Sequence, residues 1–359
     1  MRRLASVELA NPPGTFEYSN INYDILGLIV QTLSEMPFET YISENVLDPL
    51  EMRHSHLASD TARADGMAEG FYRWFGNPAP TGMPFSRALV PSTMTISTVE
   101  DLSHLLVAQL NAGAYSGARV LTADSMKLMQ TPEMYGRYSG FAMGWHVRPL
   151  WDAPIQLSGD DENVEFRIPT ILEIQGNYPT YETYMAIVPE GQWGVVVLAN
   201  SNDQLTGRDV FPFENILQLI LGEEATPVTN TVPVLARNLR WILLTVLVLL
   251  LASAAISWFR IRRWRQSPIG LPEGPGAFLR FVALPLVVDL AVFYVLVFLI
   301  PARLDVSPWV ALRGTPDVGL LVALVVVLTL GWGLTRSALT VTTLYRKKAA
   351  AGPSFRVGS

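Results

Sequence analysis

Three apolar runs in the last third of the chain decide most of what it can fold into. Trp241 to Trp258 reads WILLTVLVLLLASAAISW without a charge, and with its flanks it reaches the roughly 20 residues that carry a helix across a bilayer. Phe281 to Ile300 is apolar apart from Pro285 and Asp289, and Val318 to Leu334 is uncharged. Helical spans are therefore expected at about 239–259, 278–300 and 318–335. These runs explain a composition of 50% hydrophobic and 16% charged residues, which is too apolar for an ordinary soluble chain. Upstream of Thr231, polar and apolar residues mix with frequent Gly and Pro, as in a globular domain with room for a sizeable core. The division that follows is a domain over 1–222, a linker over 223–236, a membrane region over 237–341 and a tail over 342–359.

Basic residues set the orientation. Arg260, Arg262, Arg263, Arg265 and Arg280 lie between the first two runs, and Arg336, Arg346, Lys347, Lys348 and Arg356 follow the third. Only Arg237, Arg240, Arg303 and Arg313 fall on the opposite side. By the positive-inside rule the tail is cytoplasmic and the domain extracytoplasmic, in a multi-pass protein of the cell membrane. Export of an N-terminal domain needs a signal sequence, and MRRLASVELANPPG, Met1 to Gly14, has no apolar core for one. The expectation is that further sequence precedes it. Asp289 reads as an acid paired inside a three-helix bundle rather than as a transport site.

The net charge of -6 and the lack of a basic recognition helix exclude nucleic acid as a partner. With no cysteine, disulfides, thiolate metal sites and a Cys nucleophile are excluded too.

Within the domain, the first half reads as helical. Asn20 is placed to cap a helix from Ile21 to Ser34, with Ile21, Ile25, Leu28, Ile29 and Leu33 on one face. A short helix starts at Pro37 and ends before Asp48-Pro49. Thr98-Val99-Glu100-Asp101 has the capping-box spacing ahead of LSHLLVAQL, and Gly113 ends that helix. The period then changes to two, giving strands at Phe141–Val147, Thr170–Asn177, Thr183–Pro189 and Trp193–Asn200, with a tight turn at Pro189-Glu190-Gly191-Gln192. A helix over Val210–Leu221 closes the domain. Helices followed by an antiparallel sheet make an α+β fold.

PPGTFEYSNINYDILGLIVQTLSEMPFETYISENVLDPLEM, Pro12 to Met52, resembles the region around the Tyr-x-Asn motif of class C β-lactamases and their penicillin-binding and esterase relatives. Ser97 to Pro132, Tyr138 to Trp145 and Glu173 to Asp203 resemble segments that follow in the same bacterial family. The resemblance covers residues 12–222 and implies an α+β β-lactamase/transpeptidase-like domain, an antiparallel sheet flanked by helices, incomplete at its N-terminal side. It also implies acyl transfer through the Ser of a Ser-x-x-Lys motif without a cofactor, on a cell-wall peptide, a β-lactam-like amide or an ester. Tyr18 is implied as general base and leaving-group acid, and Asn20 as a ligand of the substrate amide or the Lys. A phenol serves as a base only where neighbouring cations lower its pKa. A helix N-terminus directly after Tyr18 adds a small stabilisation of the phenolate. Without the surrounding match, Tyr18 and Asn20 read as a loop tyrosine beside a capping asparagine.

Two departures from the family pattern stand out. No Ser is followed three positions later by Lys, the nearest arrangement being Ser125-Met126-Lys127. The family's Lys- or His-x-Gly falls on Ile174-Gln175-Gly176, where Gly176 keeps backbone access on the strand. Gln175 enters a cleft only if the strand register slips, which a buried face disfavours. As the chain stands, a hydrolase lacking its nucleophile and a non-catalytic ligand-binding or sensory module both fit. A domain without the family's upstream strands also leaves an unpaired sheet edge near Trp193–Asn200, so low stability or self-association is expected.

Smaller candidates carry blander readings. His54-Ser55-His56 has the alternation of a metal pair but no third ligand nearby in sequence, and no metal is expected. His104 and His146 read as structural. Tyr72, Trp74 and Phe75 read as core or hydrophobic loop rather than a substrate groove, and Gly159 to Asn163 as a solvated turn.

Overall fold

The computed structural model describes residues 11–12, 15–82, 85–134, 139–150, 156–158, 165–167, 169–202, 213–222, 224, 237–266, 272, 274–304 and 315–350. They form two compact units. The first comprises residues 1–71, 80–202 and 211–229, and the second 72–79, 203–210 and 230–359. The sequence-based turn at Gly159 to Asn163 lies outside the described residues.

In chain order the helices are α1 (Asn20–Ser34), α2 (Phe38–Ile42, continued by a π-helical turn Ser43–Leu47), α3 (Ser59–Ala64), α4 (Val99–Leu110), α5 (Ala123–Gln130) and α6 (Phe213–Ile220). The strands are β1 (Phe71–Trp74), β2 (Asn77–Pro80), β3 (Ala114–Tyr115), β4 (Ala118–Arg119), β5 (Glu133–Met134), β6 (Gly140–Phe141), β7 (His146–Pro149), β8 (Gln156–Ser158), β9 (Glu165–Arg167), β10 (Thr170–Tyr178), β11 (Tyr181–Val188), β12 (Trp193–Ala199) and β13 (Ser201–Asn202).

The main sheet of the first unit runs β12-β11-β10-β7-β6-β5, each neighbouring pair antiparallel. Alternation along β10 and β11 splits its apolar residues between two layers. Leu172 and Ile187, which face each other across the pair, join Trp145 and Val147 in a core closed by Leu106 of α4. Ile171, Tyr184, Ala186 and Val188 line the opposite face and are covered by Leu217 and Phe213 of α6. A third cluster under the helical half is built from Leu47, Leu50, Met52, Leu57, Val90, Met94 and Ala108. The expected edge at Trp193–Asn200 is observed, since β12 is the outermost strand among the described residues.

Thr98 caps α4 as its spacing implied, its hydroxyl accepting the Asp101 N–H at 3.2 Å. Two expectations need correction. The cap of α1 is Ser19, which holds the extended φ/ψ, while Asn20 already lies in the first helical turn. The strand expected over Phe141–Val147 is two short strands, because Gly144 adopts φ 89 and turns the chain between them. On the apolar face of α1, Leu33 is 80% exposed and Ile29 and Ile21 lie above 40%. Gly27 alone is fully enclosed, beneath Pro91.

The second unit contains three helices long and apolar enough to cross a membrane, Leu239–Gln266, Pro275–Arg303 and Pro316–Leu344. The first begins at the expected residue, the second and third begin slightly before it, and all three extend further at their far ends. The second and third are interrupted by π-helical turns at Leu279–Ala283, Val295–Leu299 and Leu328–Trp332. Asp289 is paired as anticipated, accepting from Arg336 Nη2 at 2.7 Å with both side chains buried. Gly333 opposite makes room for it, since a Cβ there would lie 2.5 Å from the Asp289 carboxylate.

Candidate functional site

Tyr18 ends the extended segment that leads into α1, and it is 60% exposed. Its ring meets Phe141 edge-on at 6.4 Å, and Phe16 packs on the same ring at 5.2 Å. The Tyr23 hydroxyl, one helical turn on, has its pKa raised by burial and secondarily by Tyr18. Asn20 is exposed at the start of α1. Among the described residues no Lys or Arg bonds to Tyr18.

On β10, Ile174 and Gln175 point to opposite faces. Ile174 packs with the Leu106, Trp145 and Leu172 core. Gln175 donates from Nε2 to Glu182 Oε1 at 2.7 Å on the other side. The register is the one the buried face dictates, pairing Gln175 with Tyr184 and Gly176 with Thr183. Gly176 is required by that pairing, because a Cβ would collide with the Thr183 hydroxyl. No hydrogen bond or ring contact joins Tyr18 or Asn20 to β10 among the described residues.

Glu182 is buried, its Oε2 has no hydrogen-bond partner among the described residues, and burial raises its pKa against the opposing bond from Gln175. A folded-state pKa above the unfolded value favours folding at low pH and loses that contribution as pH rises through it. Glu182→Gln is therefore expected to melt higher than the native chain at pH 8, with the difference closing toward pH 4. Thermal scans at the two pH values check this, and an equal or lower melting point at pH 8 contradicts it.

A polar cluster on the same face escaped the sequence reading. Burial pushes the Glu173 pKa up, but Arg148 and Tyr184 outweigh it and hold it below its ordinary value. Arg148 donates to both carboxylate oxygens, at 2.7 and 3.2 Å, the Tyr184 hydroxyl donates at 2.7 Å, and His146 lies at 3.4 Å. The His-Val-Arg alternation was the available signal, since it puts His146 and Arg148 on one face.

The His54-Ser55-His56 segment does have an acidic neighbour, contrary to the sequence reading. Asp65 Oδ2 lies 2.8 Å from His54 Nδ1 and 2.9 Å from His56 Nε2. Both imidazoles converge on one oxygen, and no group of three ligands suited to a metal exists among the described residues. The bond to Asp65 raises the His54 pKa, and the same bond lowers that of Asp65. His104 is structural: its Nδ1 lies 3.0 Å from the Leu50 carbonyl, and its ring stacks on Tyr115 at 4.5 Å.

A family model described as Beta-lactamase matches residues 1–212. Protein flp of Staphylococcus aureus strain MRSA252 is 25% identical over 302 residues, covering 83% of this chain and 56% of its own length. The strain MW2 protein flp is 28% identical over 204 residues, covering 56% and 37%. The chain thus spans from 37% to 56% of the length of these relatives. A class C beta lactamase from Rhodobacter sphaeroides superposes with a TM-score of 0.48 at 25% identity, covering 61% of this chain and 66% of that one.

Proposed function

Since the chain belongs to the beta-lactamase family, with a β-lactamase/transpeptidase-like domain and three candidate membrane-spanning helices, we propose that it is part of a membrane-anchored serine hydrolase. The substrates are amides, peptides or esters, and cell-wall peptide and β-lactam-like ligands belong to that class. The family match across Tyr18-Ser19-Asn20 carries this reading. A Ser hydroxyl attacks a carbonyl only when a base takes its proton. Tyr18 is that base and returns the proton to the leaving group, while Asn20 holds the substrate amide or the motif Lys. Gly176 lets substrate approach the β10 backbone, and Gln175 stands beside it.

None of the 359 residues completes a Ser-x-x-Lys, so this reading requires a nucleophile that these residues do not supply. The exposed apolar residues of α1 and the edge of β12, outermost among the described strands, are surfaces open to such a contribution. The domain faces outward and the tail lies in the cytoplasm.

The non-catalytic reading has one observation in its favour. Ile174 stands where the family has a Lys or His and is absorbed into the core, so the site lacks a cation on that strand. The two readings separate on covalent labelling of the native membrane protein by a fluorophosphonate or a fluorescent penicillin. A hydrolase labels, and Tyr18→Phe slows labelling by about 10²–10⁴-fold, the range for a lost general base. Labelling that is absent in the native protein favours the binding module, and labelling unchanged in Tyr18→Phe removes Tyr18 from the mechanism.

A further inference from the structure

The first span ends in a run of arginines, and one of them is drawn in among the helices. Arg260 is half-buried, with its guanidinium 4.9 Å from the Phe281 ring of the second span and 5.6 Å from the Trp264 ring of its own. Its Nη2 donates to the Ser257 hydroxyl at 3.4 Å. Arg280 sets its guanidinium 5.4 Å from the same Phe281 ring, and Trp264 meets that ring edge-on at 5.1 Å. An aromatic face attracts a cation, but it leaves the repulsion between two neighbouring cations in place.

That repulsion is not answered within the helices. Neither Arg260 nor Arg280 forms an ion pair among the described residues, and Arg280 and Arg336 are both close enough to act on Arg260 electrostatically. Asp289 is engaged by Arg336 at 2.7 Å. Arg262, Arg263 and Arg265 add positive charge at the same end of the first span.

The unpartnered polar atoms tell the same story. Arg260 Nε, Trp332 Nε1 and Arg336 Nε are buried with no hydrogen-bond partner among the described residues, and all three are donors. Trp332 joins the cluster through Trp258, whose ring lies 6.4 Å from its own. Arg336 follows Trp332 by one helical turn, on the same side of the third span. Buried donors without an acceptor are costly. This end of the helices therefore has a surplus of positive charge and of N–H groups, and what it lacks is a negatively charged acceptor.

We propose that the cluster is a phosphate-binding site centred on the Arg260 guanidinium, with Arg280 beside it. A guanidinium presents its N–H groups in a planar fork that fits two phosphate oxygens. Basic pockets between membrane helices take phospholipid headgroups in this way, and a free phosphate offers the same oxygens. A phosphate at Arg260 neutralises the repulsion between the first and second spans, so its binding holds the helices together. The site is formed by the helices alone and stands whether the domain hydrolyses or only binds its ligand.

Isothermal titration calorimetry of the full chain in dodecyl maltoside micelles tests it, with short-chain phosphatidylglycerol, short-chain phosphatidylcholine and inorganic phosphate as titrants. Saturable binding of phosphatidylglycerol, much weaker for phosphatidylcholine with its uncharged headgroup, identifies a lipid site, and saturable binding of inorganic phosphate a free-phosphate site. In either case Arg260→Gln should raise the dissociation constant about ten- to a hundredfold, as for one lost charge-assisted contact. Arg280→Gln, at an exposed position on the same ring, should weaken binding in the same direction. Arg263→Gln, also exposed but outside the ring cluster, should bind as the native chain does. Equal losses in Arg260→Gln and Arg263→Gln would reveal only a general attraction between a basic helix end and an anion, which overturns the proposal. Failure of both phosphatidylglycerol and inorganic phosphate to bind the native chain overturns it as well.

Discussion

Asp289→Leu is expected to cost the three-helix unit about 3–5 kcal/mol, the usual penalty for leaving one member of a buried ion pair without the other. The Arg336 side chain is 4% exposed, and its Nε has no hydrogen-bond partner among the described residues. Without the carboxylate at 2.7 Å its charge is buried uncompensated. Because most of the expense of a buried pair lies in desolvating two charges, removing both is far milder than removing one. Asp289→Leu/Arg336→Leu should therefore regain most of the loss. Denaturant titration of the full chain in micelles measures both variants, and a double variant as unstable as Asp289→Leu would show that the pair is not what holds the helices there.

Asp101→Ala should have a comparable effect in the first unit. Asp101 is 2% exposed on α4, and its Oδ2 accepts the His54 N–H at 2.8 Å and the Ser55 hydroxyl at 2.7 Å. Bonds to a charged acceptor contribute about 1.5–3 kcal/mol each. A loss of about 3–5 kcal/mol follows, read as a lowered midpoint in urea. Asp101→Asn keeps an acceptor oxygen and is expected to fall between the two. If Asp101→Ala shifts the midpoint by less than ~1 kcal/mol, the tie between α4 and the His54–Ser55 segment is not a stabilising feature.

Elements with one strong local signal were legible from the residues alone. The three spans follow from uncharged apolar runs, α4 from its Thr98 cap, and the β10–β12 meander from period-two patterning with a turn at Pro189–Gln192. The β1–β2 hairpin was not legible, because its turn sequence Trp74-Phe75-Gly76-Asn77 lacks the Asn-Gly or Asp-Gly signal. The turn's Phe75 N–H instead donates to Asp317, 242 positions away. The Asp65 bridge between His54 and His56 was missed for a related reason: α3 brings it back from 11 and 9 residues further along.

For the site, Tyr18 and Asn20 were visible only through their surroundings, since Tyr-x-Asn is too short to argue from alone. The side of the sheet taken by Gln175 followed from its strand's alternation, and the structure keeps that register. Periodicity reports that one face of α1 is apolar, not what covers it, and Leu33 on that face is 80% exposed.

The most direct test of the proposed chemistry is to label the native protein in its own membranes with a fluorophosphonate and map the adduct by intact mass and peptide sequencing. An adduct on the Ser of a Ser-x-x-Lys segment lying N-terminal to Pro12 is the expected result. A native protein with the 39.7 kDa mass of these 359 residues and no adduct would contradict it, leaving a ligand-binding member of the family in place of an enzyme.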